Sequence, residues 1–383
     1  MLSTRMSLGR RLMILESRKT HARTASTANT GLKMLPGWRI GRTAAATGLA
    51  DCSLVVATHR RRKECLALLD ALLHLDDAPG EVVFVDGARD EQFSQDLWCW
   101  SSQHPLRFDL VYAASPTGLT LQRNAGIDIS TREFVFFLDD DAIPLPGFFR
   151  EIRCVFQRDA EERIGAVAGC IINEIDQPLD RRWQLRLWSG LIPPSEPMQY
   201  LPCGVHTPRG LMKRFSGTRE VMVFFGGAVA LRRRVFDGIR FSEYFQGYSF
   251  GEDTEMGLRV GSRWKIVCCG DAHMLHNPAP GGRVAGYARG RMEIVNRYFI
   301  WRRHIPHPGF FDKARFWADW SFQVGMDLAW TCVRPWQLRF AGHGAGLLAG
   351  MVQCCLAPPK YAEPAAGQVY ALSAEGSRGV SPA

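Results

Sequence analysis

The chain has 383 residues, 46% of them hydrophobic and 22% charged, with a formal net charge of +9. That balance excludes a wholly disordered chain, a collagen-like fibre and a coiled coil, and no apolar run reaches the ~18–20 residues of a membrane span. Residues 1–50 carry nine Lys/Arg against Glu16 alone, so the remainder is almost neutral, which argues against a nucleic-acid partner, whose basic footprint belongs on the fold itself.

The length suggests two or three packing units. Residues 1–50 are rich in Arg, Ser, Thr, Ala and Gly. They compose like an organelle transit peptide, and equally like a disordered basic tail or upstream sequence before a later start at Met6, Met13 or Met34. They are set aside from the fold. From Cys52 onward strand and helix signals alternate. Ser53–Ala57 reads as a buried strand and Arg61–Leu75 as a helix, with Leu66, Leu69, Leu72 and Leu73 at helical spacing. Glu81–Val85 is a second strand, Glu91–Gln103 a helix, Arg107–Tyr112 a third strand and Leu119–Ile127 a short helix. Glu133–Leu138 is a fourth strand, Pro146–Phe156 a helix and Gly165–Ile172 a fifth strand. This alternation predicts an α/β fold with a mostly parallel sheet. Asn173–Thr218 has no clear period and reads as a long excursion. Glu220–Leu231 returns to strand character, Glu252–Val260 is helical and Trp264–Cys269 is a strand. Tyr287–Arg303 and two or three helices within 310–357 follow, and the tail after Pro358 reads as disordered.

The eleven cysteines form no C-x-x-C pair. Their spacing fits no zinc ribbon, and they read as reduced thiols in a reducing compartment. The chemistry concentrates at Asp139-Asp140-Asp141, directly after the apolar strand Phe134–Leu138. Three carboxylates at the end of a buried strand are costly without a cation, and open α/β sheets bind ligands at those ends. A hard divalent ion takes one or two carboxylates plus substrate phosphates. Val55–Arg60 and Asp86-Gly87 end two earlier strands, where a base or ribose can rest. Arg123-Asn124 precedes the acidic strand, with Arg123 available to phosphate or to an Asp.

With Val56–Arg60, Val85-Asp86-Gly87, Arg123–Gly126, Leu138–Asp141, Phe225–Ala228, Arg233, Gly251-Glu252-Asp253 and Leu258-Arg259, residues 52–303 resemble glycosyltransferase family 2, the inverting GT-A enzymes. The resemblance implies a Rossmann-like nucleotide half and an acceptor half on one mixed sheet, with C-terminal helices. It implies a nucleotide-sugar donor and Mn2+ or Mg2+. By position, Thr58, Arg60 and Asp86 fall to the nucleoside and Arg123 to the diphosphate. Asp139 falls to the ribose or donor sugar, with Asp140 beside it, and Asp141 to the metal. His276, in Leu-His-Asn-Pro, matches a place for a ligand of metal or diphosphate. Asp253 falls to the general base, Glu252 to orienting it or the acceptor, and Gly226 and Gly227 to the acceptor region.

The chain departs from relatives in reading Val85-Asp86-Gly87-Ala88, one acid short, and in lacking Gln-x-x-Arg-Trp. The second absence favours transfer of one or a few sugars over polymerisation. The expected organisation is a basic segment 1–50, a GT-A domain 51–303, a helical region 304–357 and a tail 358–383. The Trp and Arg residues of 301–339 suit either an interfacial helix near anionic lipid or packing on the core. The expected setting is cytoplasmic, with a peripheral contact on the inner membrane face. The expected acceptor is a glycan or lipid-linked hydroxyl in surface polysaccharide assembly. The readings set against it are a Mg-dependent nucleotidyltransferase and a non-catalytic glycan- or partner-binding module.

Overall fold

The computed structural model describes residues 32–45, 48–279, 284–334, 336–360 and 369–373. In chain order the elements are β1 (Leu32–Leu35), β2 (Gly37–Ile40), β3 (Leu49–Thr58), α1 (Arg62–Leu73), β4 (Pro79–Asp86), α2 (Glu91–Gln103), β5 (Asp109–Ala114) and α3 (Leu119–Ile129). Then come β6 (Phe134–Asp139), β7 (Ala142–Pro144), α4 (Phe148–Arg158), β8 (Ile164–Ile171), α5 (Arg181–Trp188), β9 (Thr218–Glu220) and β10 (Ala228–Arg232). The rest are α6 (Glu252–Gly261), β11 (Lys265–His276), α7 (Gly286–His304), α8 (Phe310–Val333), α9 (Leu338–Leu356) and β12 (Val369–Leu372).

One mixed sheet runs β2-β5-β4-β3-β6-β10-β8-β11-β7, with β9 also on β11. Its β5-β4-β3-β6 half is parallel, and β10 enters antiparallel between β6 and β8. Side chains alternate across a strand, so each central strand feeds two cores. Leu54, Val56, Phe84, Phe136 and Leu138 pack on one face; Val55, Val83, Val85, Val135 and Phe137 pack on the other. Burial on both faces explains why these strands are continuous apolar runs. Register then aligns the strand ends: Thr58 stands beside Asp86, and Ala57 beside Asp139. His276 arrives opposite Ala142, next to Asp141. Four separate strands thus deliver polar residues to one edge.

Two expectations are corrected. Part of the segment set aside as a disordered basic tail is strand. Trp38 on β2 stacks on Tyr112 at 5.8 Å, and Arg39 pairs with Glu81, which is fully buried on β4. A buried carboxylate needs that partner, and burial, which would raise Glu81, is outweighed by hydrogen bonds from Arg39, Ser53 and Thr131, which hold its pKa below the usual range. Within the expected disordered tail, β12 pairs in parallel with β1, and Tyr370 N–H donates to Asp128 at 3.0 Å. Residues 1–31, 46–47, 361–368 and 374–383 of those segments lie outside the described residues. The expected strand Glu220–Leu231 is also shorter. Glu220 ends β9 and Ala228 begins β10, and the residues between them leave the sheet. Among the described residues no helix is long and apolar enough to cross a membrane.

Candidate active site

The acidic run ends β6 at Asp139, and Asp140 and Asp141 form the turn after it. Asp140 accepts from Thr58 Oγ1 at 2.8 Å and Arg61 Nη1 at 2.7 Å. Its burial raises its pKa to about 6, although Arg61 and Thr58 oppose the shift. Asp141 also accepts from Arg61 Nη1, at 3.0 Å. Asp139, Asp141 and His276 offer three ligand atoms within 4.8 Å of one another. For Asp141, burial is outweighed by hydrogen bonds from His276 and the Ala279 N–H, and its pKa is held down at about 2. Glu174 takes the Nδ1–H of His276. That leaves Nε2 facing Asp141 at 3.4 Å, where either a second ring proton or a cation satisfies both. Two carboxylates and an oriented imidazole are a donor set that fits a divalent ion.

The other wall is built on α3 and α6. Arg123 is buried and forks between two acids, Glu252 at 2.9 Å and Asp139 at 3.3 Å. Gly226 and Gly227 lie so close that an added Cβ would fall within 3 Å of the Arg123 guanidinium and the Asp139 carboxylate respectively. Only glycine permits that approach. Gly251, at φ +92°, turns the chain into α6 and provides no side-chain cap. Asp253 then accepts from its neighbour Thr254 N–H at 2.6 Å and from Gly226 N–H at 3.4 Å. For Glu252, burial and the adjacent Asp253 outweigh Arg123 and push its pKa up to about 8.

Thr58, Arg123, Asp139, Asp140, Asp141, Gly226, Glu252, Asp253 and His276 all line one cleft of about 720 Å³. Three expected residues do not: Gly227, packed on the Asp139 carboxylate, and the polar pair Arg60 and Asp86. Arg60 is exposed, with φ +58° turning it out, and Arg61 meets the acids instead. Asp86 is buried, and its oxygens are taken by Ala88 N–H, Asp90 N–H and the Tyr112 hydroxyl. It braces the turn after β4 rather than opening on the cleft. Gln122, His206, Arg209 and Arg297 line the cleft without having been expected. Gln122, adjacent to Arg123, ties the β3 and β4 ends through the Thr58 and Val85 carbonyls at 2.7 and 2.8 Å. His206 and Arg209 come from the aperiodic excursion, where no local signal marks them. A pocket of about 360 Å³ lies beyond Arg209 and Phe225 and shares Asp253 and Thr254 with the cleft.

The model for the family described as glycosyl transferase family 2 matches residues 53–240. Residues 53–240 form a family 2 glycosyltransferase domain. Similar solved structures include a mannosyltransferase, PcManGT, from Pyrobaculum calidifontis, in complex with GDP-Man and Mn2+. It is 15% identical, covers 81% of this chain and 90% of its own, and has a TM-score of 0.47. S. aureus TarS 1-349, in complex with UDP-GlcNAc, is 14% identical over 79% of this chain and 91% of its own, with a TM-score of 0.42. GalNAc-T7, with UDP, GalNAc and Mn2+, is 14% identical over 61% of this chain and 45% of its own, with a TM-score of 0.45. No curated protein matches the chain.

Proposed function

We propose that the cleft transfers a sugar, with inversion, from a nucleotide-sugar donor to a hydroxyl of a glycan or lipid-linked acceptor in glycoconjugate assembly. The observation that carries this reading is the pairing, in one cleft, of the Asp139–Asp141–His276 group with Asp253. Asp139, Asp141 and His276 would hold Mn2+ or Mg2+, which when bound neutralises charge on a departing diphosphate. Thr58 and Arg61, at the end of β3, border the space for the nucleoside. Arg123 places a fixed cation beside the leaving group, already oriented by Glu252 and so with little reorganisation at reaction. Asp253 takes the acceptor proton as the hydroxyl oxygen bonds to the anomeric carbon. The bond from that carbon to the diphosphate oxygen breaks on the opposite face, and its electron pair leaves with the nucleotide. One such displacement inverts the centre. The pocket beyond Arg209 and Phe225, open to Asp253, suits the acceptor.

The test is transfer by wild type and Asp253→Asn. Loss of transfer by a factor on the order of 10² to 10⁴ is expected for a removed general base, with metal-dependent binding of the nucleoside diphosphate retained. Unchanged transfer would remove Asp253 from the mechanism. NMR of the first product reads the anomeric configuration, and retention would refute single displacement.

A further inference from the structure

A groove of about 800 Å³ lies between α5, the end of α8 and the start of α9, outside the catalytic cleft. Its lining is mainly apolar, with Leu185, Met326, Trp330 and Phe340; the last two rings stack at 6.1 Å. Its rim is cationic. Arg181, Arg334 and Arg339 line it, and none of them makes an ion pair among the described residues. Arg334 lies over Trp330 at 4.8 Å and Arg339 over Phe340 at 5.0 Å. The groove's two acids are already engaged. Asp327 pairs with Arg182 at 2.7 Å and His343 at 2.6 Å, and Asp180 caps α5 by accepting from Trp183 N–H. Large apolar side chains stand in water around it: Trp188 is 86% exposed, Trp336 and Leu338 each 74%, and Val333 65%.

A single exposed leucine needs no explanation. Two tryptophans and further apolar side chains beside three arginines without a carboxylate partner among the described residues are the composition of an interfacial contact. Charge selects the occupant. A second copy docked on this face about a two-fold axis would set like charges against each other. The chain's own N-terminal segment is basic and is repelled for the same reason. An anionic surface is attracted. The groove also abuts the active site, since Val284 lines the cleft and the next residues, Ala285 and Gly286, line the groove.

We propose that this groove and its apolar rim dock the protein on a bilayer rich in anionic phospholipid. Headgroup phosphates sit among Arg181, Arg334 and Arg339, and Trp188, Trp336 and Leu338 enter the acyl boundary. Docking brings the cleft to the membrane surface. That it serves a lipid-linked acceptor rests on the proposed transfer reaction; the docking itself does not.

The experiment is co-sedimentation of the full chain with vesicles of phosphatidylcholine alone or mixed with phosphatidylglycerol, at low and high salt. Binding to the anionic vesicles, weakened by salt, is expected. Each arginine near such a surface contributes roughly fivefold to affinity. Arg334→Ala/Arg339→Ala should therefore weaken binding by more than tenfold, and Trp336→Ser/Leu338→Ser should do so at either salt. An unchanged thermal transition shows that both variants are folded. Equal binding to neutral vesicles, or unaltered binding by both variants, overturns the proposal. So does complete displacement by millimolar inorganic phosphate, which would mark an ion site. A concentration-dependent dimer abolished by Trp336→Ser, with no vesicle binding, would assign the face to a second copy. Vesicle binding with transfer indifferent to Asp253→Asn would refute the proposed reaction and leave docking intact.

Discussion

Replacing Glu252 with Gln should make the metal-free protein more stable at alkaline pH while impairing transfer. Glu252 is buried, and its pKa stands at about 8 in the fold against the ordinary 4.5. Between those values the folded protein holds a proton that the unfolded chain has released. Stability from this group is therefore complete below pH 4.5 and is lost as pH rises through 8. At ~1.4 kcal/mol per unit the loss has a ceiling of ~5 kcal/mol. Gln has no such proton, and its amide oxygen still accepts from Arg123. Local relaxation at alkaline pH reduces the difference, and a gain of ~2 kcal/mol corresponds to ~4–8 °C for a domain of this size. The assay is thermal unfolding of both proteins in EDTA from acid to alkaline pH. The curves should coincide near the acid end, separate between about pH 4.5 and 8, and run parallel above that. Asp140, raised to about 6, and Asp141, held at about 2, titrate in both proteins and cancel. A gap independent of pH, or a Gln variant less stable at alkaline pH, would show that Arg123 neutralises Glu252 completely. The burial argument would then be wrong.

Other outcomes follow from the same geometry. Asp141→Ala and His276→Ala should each abolish the Mn2+-dependent part of thermal stabilisation by nucleoside diphosphate; persistence in both would place the ion elsewhere. Arg39→Ala strips the partner from buried Glu81 and should cost ~3 kcal/mol in denaturant unfolding, with Glu81→Gln in the same chain restoring much of it. His343 is held at about 9, chiefly by hydrogen bonds to Asp327 and Glu293. Its contribution is complete below pH 6.5 and lost as pH rises through 9. His343→Gln should therefore lose ~2 kcal/mol near pH 6 and almost nothing above pH 10, read as a narrowing difference in unfolding free energy.

Much of the fold was legible because its signals are local. Glu91–Gln103 is a helix with those bounds. The apolar run before Asp139 is a doubly buried strand, as continuous hydrophobicity implies. The glycines at 226, 227 and 251 stood out in the sequence, although the side chains that require the first two, Arg123 and Asp139, come from other elements.

What the sequence could not decide depends on groups far apart along the chain. A single backbone turn at φ +58° exchanges Arg60 for Arg61 at the acids. Asp86 follows an apolar strand much as Asp139 ends one, yet Ala88, Asp90 and Tyr112 consume its oxygens before a ligand could. Arg209 and Glu174 have no periodic context, and only packing against Phe225 and His276 brings them to the site. β1 and β12 pair across more than three hundred residues, a contact whose loop-closure entropy is repaid only once the sheet exists. Residue type and local period determined the elements and the acidic strand end. Tertiary structure alone decided which carboxylates are left facing the cleft, because a carboxylate's chemistry depends on the donors already bound to it.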